Sequence, residues 1–313
     1  MKKLLLGIIA IQAVFLVTEV NAQESWYPSK YGVDDNIGAA NNMSVDAVMA
    51  AANLVDQGKV YSLAVKTNEL TPDKWDRFYQ VKAYSMDYAQ LGPNKTTANE
   101  SLIIVHDGLG TSIDGFSHLG INQRYYNGAL HEDIFPDSGG GVRRFGMENV
   151  PPIVGRGVLL NMVSYFDGQE KTLAAGTEFN SEEIIGAADE QDVQIRKGDI
   201  IIFHTGWLPL LWNDPETYLY KQPGLGVDGA SYLVEKGVTM VGIDARTMEA
   251  FPATYQEIAP VHQELLTKNG VYILEHVDTR ELVKDSVHEF LFVLGVPKLS
   301  GTVQGIIHPI AIR

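Results

Sequence analysis

Apolar positions recur in two rhythms along the chain. Across residues 44–57, Val45, Val48, Met49, Ala52 and Val55 return at three- and four-residue steps behind Ser44, a capping residue, which predicts a helix. Helices are also predicted at 181–191, acidic at its start, at 228–236, closed by Gly237, at 260–268, stopped near Asn269-Gly270, and briefly at 279–282. Short, mostly apolar runs at 60–65, 157–162, 200–204, 238–243, 271–274, 289–296 and 306–312 predict strands, with a short buried strand at 102–105. Residues 23–42, with a Pro and several Gly and Asn, are expected to be a surface lead-in. Strands alternate with helices and several strands are apolar throughout, so an α/β fold with sheets covered on at least one face is expected.

The first residues do not fit that pattern. Met1-Lys2-Lys3 is positive, residues 4–17 are apolar except for Gln12, and Val20-Asn21-Ala22 presents small residues where a signal peptidase reads. The apolar stretch is shorter than the roughly 20 residues that span a bilayer. Residues 1–22 are therefore expected to be a signal peptide, and 23–313 a single catalytic domain, exported to the periplasm or the medium and not held in a membrane. The formal net charge of −15 repels phosphate backbones, so nucleic acid is not expected as a partner. Cysteine is absent, which removes disulfides, thiolate ligands and a Cys nucleophile. Any metal must be held by His and carboxylates.

The densest candidate chemistry lies in Gly108-Leu109-Gly110-Thr111-Ser112-Ile113-Asp114-Gly115-Phe116-Ser117-His118, after the 102–105 strand. Asp114 and His118 are four apart, so a helix or an extended chain turns both to one side. A carboxylate beside an imidazole can bind metal or form a general base oriented by an acid. The plainer alternative is a turn-capping Asp114 and a core His118. His262 falls near a helix start, where a surface role is the alternative. Glu275 ends an apolar strand, where a carboxylate needs a salt bridge or a metal. His276, next door, points the other way. His106 is a weaker candidate, and His131, His204, His288 and His308 have no partner in sequence. No nucleophile elbow, phosphate loop or dinucleotide fingerprint is present in context.

Taken together, these motifs resemble a known family. The stretch from Gly110 to His118 is similar to the signature H-x-G-T-H-x-D-x-P-x-H of the cyclase family, which includes bacterial kynurenine formamidases and isatin hydrolases. Arg156-Gly157-Val158-Leu159-Leu160, Gly198-Asp199-Ile200-Ile201-Ile202, Thr205-Gly206-Trp207, Pro223-Gly224-Leu225, Val241-Gly242-Ile243-Asp244 and His262-Gln263-Glu264-Leu265-Leu266 follow in family order. The resemblance implies a compact swivelling β/β/α-type fold with mixed sheets covered by helices. It implies metal-dependent hydrolysis of a small amide: an arylformamide such as N-formylkynurenine of tryptophan catabolism, a cyclic amide or a lactone. Asp114, His262 and Glu275 match metal ligands, His118 the acid/base histidine with Asp114 beside it, and Gly110, Thr111 and Ser112 the turn whose backbone faces substrate. A homo-oligomer is also implied.

Two ligand histidines of the signature fall on Gly108 and Ser112, and its proline on Phe116. One metal position therefore loses its imidazoles, while Asp114, His262 and Glu275 could keep the other for zinc or manganese. Two readings compete with the metal hydrolase: metal-free acid/base hydrolysis by His118 and Asp114, and an exported small-molecule-binding protein that no longer catalyses. Export argues for a substrate other than formylkynurenine, whose breakdown is intracellular. Phe116, Tyr125, Tyr126 and Trp207 would suit a planar ligand or serve as core.

Overall fold

The apolar runs of the second half of the chain become the middle of one large mixed sheet. The computed structural model describes residues 26–85, 91–167 and 171–313. The expected signal peptide, residues 1–22, lies outside the described residues. Strands run in chain order as β1 (Val60–Ser62), β2 (Tyr79–Ser85), β3 (Asn99–Val105), β4 (Ser112–Asp114), β5 (Ile153–Asn161), β6 (Glu178–Phe179) and β7 (Ile200–His204). They continue as β8 (Gly224–Leu225), β9 (Met240–Ile243), β10 (Tyr272–Glu275), β11 (Glu289–Leu294), β12 (Gln304–Ile306) and β13 (Ile310–Ile312).

Among the described residues nine strands form one sheet in the order β1-β13-β11-β5-β7-β9-β10-β4-β12. Its centre, β5-β7-β9-β10, is parallel. Every residue of β7, β9 and β10 is buried, which is why those runs carry no polar alternation. The antiparallel β11 alternates half-buried and buried positions, turning one face inward. Across the β5–β11 pair Gly157 faces Phe290, and a Cβ there would fall 2.1 Å from the buried ring, so only glycine fits.

Helix Val45–Ala52 starts at Ser44, whose Oγ accepts from the Ala47 amide, and packs on β5 and β11. Helix Ser181–Glu190 packs on β5 and on helix Val227–Lys236, which closes at the left-handed Gly237. No described helix is long and apolar enough to cross a membrane. The α/β expectation with a mixed sheet and covering helices holds.

Three local expectations do not. The strand expected as buried at 102–105 is the end of β3, which among the described residues pairs only with β2 in a separate two-stranded ribbon; Leu102, Ile103 and Ile104 are about half exposed because no second layer of described residues covers them. The surface lead-in ends instead in a buried turn, Gly38–Asn42, fixed by the Ala39 amide donating to the Gly270 carbonyl and by Asn42 Nδ2 donating to the Gly237 carbonyl. The strand expected at 306–312 is two strands broken around Pro309: β12 forms one edge of the large sheet and β13 lies beside β1 at the opposite edge. The few residues between them reach at most about 14 Å, at ~3.5 Å each. The sheet therefore curls until its two ends nearly meet.

Candidate metal centre

The curled sheet carries the site on one end. β4 lies between β10 and β12, pairing Asp114 with Ile273 and Gln304, and Ser112 with Glu275 and Ile306. The two-residue period of a strand then puts Gln304, Asp114, Ser112 and Glu275 on one face. His262 arrives from another direction. Ala259 takes a left-handed φ of +53°, Pro260 opens a single α turn, and the chain widens into a π-helix at Gln263–Lys268 directly after His262. Such widenings inside helices are frequent at functional sites.

These elements bring Asp114, His262 and Glu275 together, all buried, with ligand-capable atoms within 4.8 Å of one another. His262 Nε2 is 3.3 Å from Asp114 Oδ2 and 3.3 Å from Glu275 Oε1. The other ring nitrogen, Nδ1, lies 2.8 Å from Glu249 Oε1, which also accepts from the His262 amide. Glu249 thus fixes the ring so that Nε2 faces the two carboxylates. Gln304 Nε2 donates to Asp114 Oδ1 at 2.6 Å, while Asp114 Oδ2, fully buried, has no hydrogen-bond partner among the described residues.

The electrostatics follow from that crowding. Burial alone raises a carboxyl, yet the His118 and His262 imidazoles with Gln304 hold Asp114 at about 2. Burial and the neighbouring Asp114 push Glu275 up. Burial opposes charge on His262, but Glu249, Asp114 and Glu275 raise its pKa well above the ordinary value. One imidazolium cannot neutralise three carboxylates, so the cluster suits a cation. Ligands about 2.1 Å from a tetrahedral ion lie ~3.4 Å apart, close to both His262 separations. One imidazole and two carboxylates suit zinc or manganese, and the Glu249–His262 contact is the outer carboxylate that such a ligand histidine usually has. Glu249→Ala is expected to weaken divalent-metal affinity about 10- to 100-fold; chelator competition measures it, and unchanged affinity would remove Glu249 from the site.

His118 stands apart from this trio. It sits on the turn after β4, half-buried, with its ring centre 6.4 Å from that of His262. It lines a cavity of about 520 Å³ together with His262, Glu249, Glu275 and Gln304. Asp114 and His118 therefore reach one site from a strand end and the following turn.

The other expected residues are placed differently. None of Gly110, Thr111 and Ser112 lines the cavity. Thr111 donates to the His276 carbonyl and accepts from the Val65 amide, which ties the chain just after β1 to the end of β10. Ser112 already belongs to β4, and its buried hydroxyl has no hydrogen-bond partner among the described residues. Where the family signature has its first histidine, a Cβ on Gly108 would lie 2.6 Å from Gln304 Oε1 and 2.7 Å from Arg77 Nη1. Arg77 and Gln304 fill that space, and Arg77 donates to the Gly108 carbonyl. Phe116, Tyr126 and Trp207 are core, and Tyr125 is half-buried. His106 Nδ1 accepts from the Phe78 amide, away from the site. His204, buried, meets Thr279.

Glu249, Gln304, Arg77 and Arg246 were not singled out from sequence. Each sits on a loop or edge strand, with no spacing in the sequence to mark it.

Residues 61–250 match the family model described as putative cyclase. A solved structure of a novel cyclase is 28% identical, with 91% of this chain and 96% of that chain covered at a TM-score of 0.81. The kynurenine formamidase of Bacillus cereus is 36% identical over 90 residues, 28% of this chain and 41% of that protein. The chain thus spans about two fifths of the length of the curated relatives it matches. Isatin hydrolase A from Labrenzia aggregata, bound to benzyl benzoate, shares the fold at 16% identity and a TM-score of 0.60, over 86% of this chain and 98% of that one.

Proposed function

The chain belongs to the putative cyclase family, and from that membership we propose that it is a hydrolase of a small amide, working with one zinc or manganese ion held by Asp114, His262 and Glu275. The observation that carries this reading is the equal 3.3 Å approach of His262 Nε2 to two buried carboxylates, one with an unpartnered oxygen. A divalent ion there supplies Lewis acidity toward a carbonyl oxygen and acidifies water. Glu249 keeps Nδ1 of His262 occupied, so that Nε2 stays turned to the carboxylates. His118, on the cavity wall, takes the proton from the attacking water and returns it to the leaving nitrogen. The water oxygen bonds to the carbonyl carbon, the C–N bond breaks, and a carboxylic acid and an amine leave. Arg77 and Gln304 fill the place of a second ion's histidine, which supports a mononuclear site.

The names of the relatives support an arylformamide or a cyclic amide as substrate; a lactone would fit the same chemistry. A panel of N-formylkynurenine, simple aryl formamides, isatin and lactones tests this. Hydrolysis that stops with a chelator and returns with zinc or manganese is expected, and chelator-resistant turnover would overturn the metal mechanism.

A second reading has its own support. An imidazolium at His262 would also sit between two carboxylates at these distances, and Gln304 already occupies one oxygen of Asp114. His118 and Asp114 would then act on water without metal, and the chelator result separates the two. Export on the 1–22 segment belongs to the same proposal, as does assembly with further copies, which would cover the apolar ribbon β2–β3.

A further inference from the structure

The cavity beside the Asp114–His262–Glu275 cluster is lined by cations as well as by carboxylates. Its wall carries Lys74, Arg77 and Arg246, and Arg246 is the unusual one. It follows β9 and is 8% exposed. Its Nε is buried without a hydrogen-bond partner, and among the described residues no carboxylate lies within ion-pair reach. A guanidinium stays protonated and presents five donors in a planar fork. Burying one without a counter-ion is costly, so such a group is retained where an anion meets it.

The nearby carboxylates are committed elsewhere. Asp73 accepts from the Trp75 and Arg77 amides. Glu249 accepts from His262 and Thr247. Glu275 faces His262. What Arg246 does meet is aromatic: its guanidinium lies 5.6 Å from the Phe251 ring centre, and Lys74 Nζ lies 5.8 Å from the same ring. Two cations thus flank one aromatic wall of the cavity that also holds His118, His262 and Glu275. That pairing of a planar apolar surface with a guanidinium fork matches a ring bearing a carboxylate.

We propose that the substrate is an anionic aryl amide, its carboxylate held by Arg246 with Lys74 alongside and its ring against Phe251. This rests on the amide-hydrolase reading for the reaction but not for the binding. Bidentate pairing at Arg246 anchors the end of the molecule away from the scissile bond, and so sets which amides are accepted.

The test compares N-formylanthranilate with formanilide, which lacks the carboxylate, as kcat/KM in wild type, Arg246→Met and Arg246→Lys. Wild type is expected to favour the carboxylate. That preference should fall about 100-fold in Arg246→Met and recover in part in Arg246→Lys, which keeps the charge but not the fork. An equal preference in wild type and Arg246→Met overturns the proposal. Calorimetric binding of anthranilate to the same three proteins decides the case independently of turnover. If neither amide is hydrolysed but anthranilate binding falls about 100-fold in Arg246→Met, the hydrolase reading fails and the anion subsite stands. Anthranilate binding that is absent, or equal in all three, overturns the subsite. Thermal unfolding of each variant shows that it is folded.

Discussion

Purified protein is expected to hold about one zinc or manganese ion per chain, and His262→Ala to hold none and to have lost hydrolysis. The expectation rests on how little redundancy the site has. Gly108 and Ser112 supply no imidazole, so His262 is the one nitrogen ligand of the trio, and two carboxylates alone hold an ion loosely. Metal analysis beside circular dichroism reads the result, because a folded His262→Ala without metal isolates the ligand role. Wild type that takes up no metal even on reconstitution would sink the mononuclear hydrolase and leave His118 and Asp114 acting alone, or a protein that only binds.

His118→Ala is the complementary case. Its metal content should stay at the wild-type level while kcat falls about 10²- to 10⁴-fold, the usual worth of a positioned acid/base group. The geometry separates the two histidines: His118 is on the cavity wall, outside the cluster of ligand atoms, and touches Asp114 only through its field. Stopped-flow or steady-state rates beside metal analysis give the answer. Loss of metal in His118→Ala would make it a ligand, and a rate within a few-fold of wild type would take the proton transfer away from it.

The four residues on which both predictions turn were visible in the sequence, for reasons that can be stated. Asp114 stands four residues before His118 in a Gly-rich stretch, Glu275 closes a short apolar strand, where an ionised group demands an explanation, and His262 opens an apolar-periodic helix. What periodicity could not give was convergence. Glu275 and Asp114 share a face only because β10 pairs with β4 in one register. Glu249 and Gln304 reach the site through loop and edge-strand geometry from thirteen residues before His262 and from the far end of the chain. The ribbon β2–β3 was misjudged because Leu102-Ile103-Ile104 reads as a core strand whether or not a second layer covers it. The break between β12 and β13 left a trace in Pro309, but the placement of the halves toward opposite ends of one sheet is a property of the whole curled sheet and of no local pattern.

That curled sheet divides the site's labour between two kinds of backbone. The spacing of Asp114, Glu275 and Gln304 is set by hydrogen-bonded rungs that cannot shift by one residue without turning every side chain to the other face. Lys74, Arg77 and Arg246 hang from connecting segments outside the sheet's ladders, and Phe251 is held only by an isolated two-bond bridge to Gln222. On the proposed amide-hydrolase reading, substitutions in those connecting segments would change which amide is accepted while the sheet keeps Asp114, Glu275 and Gln304 in place.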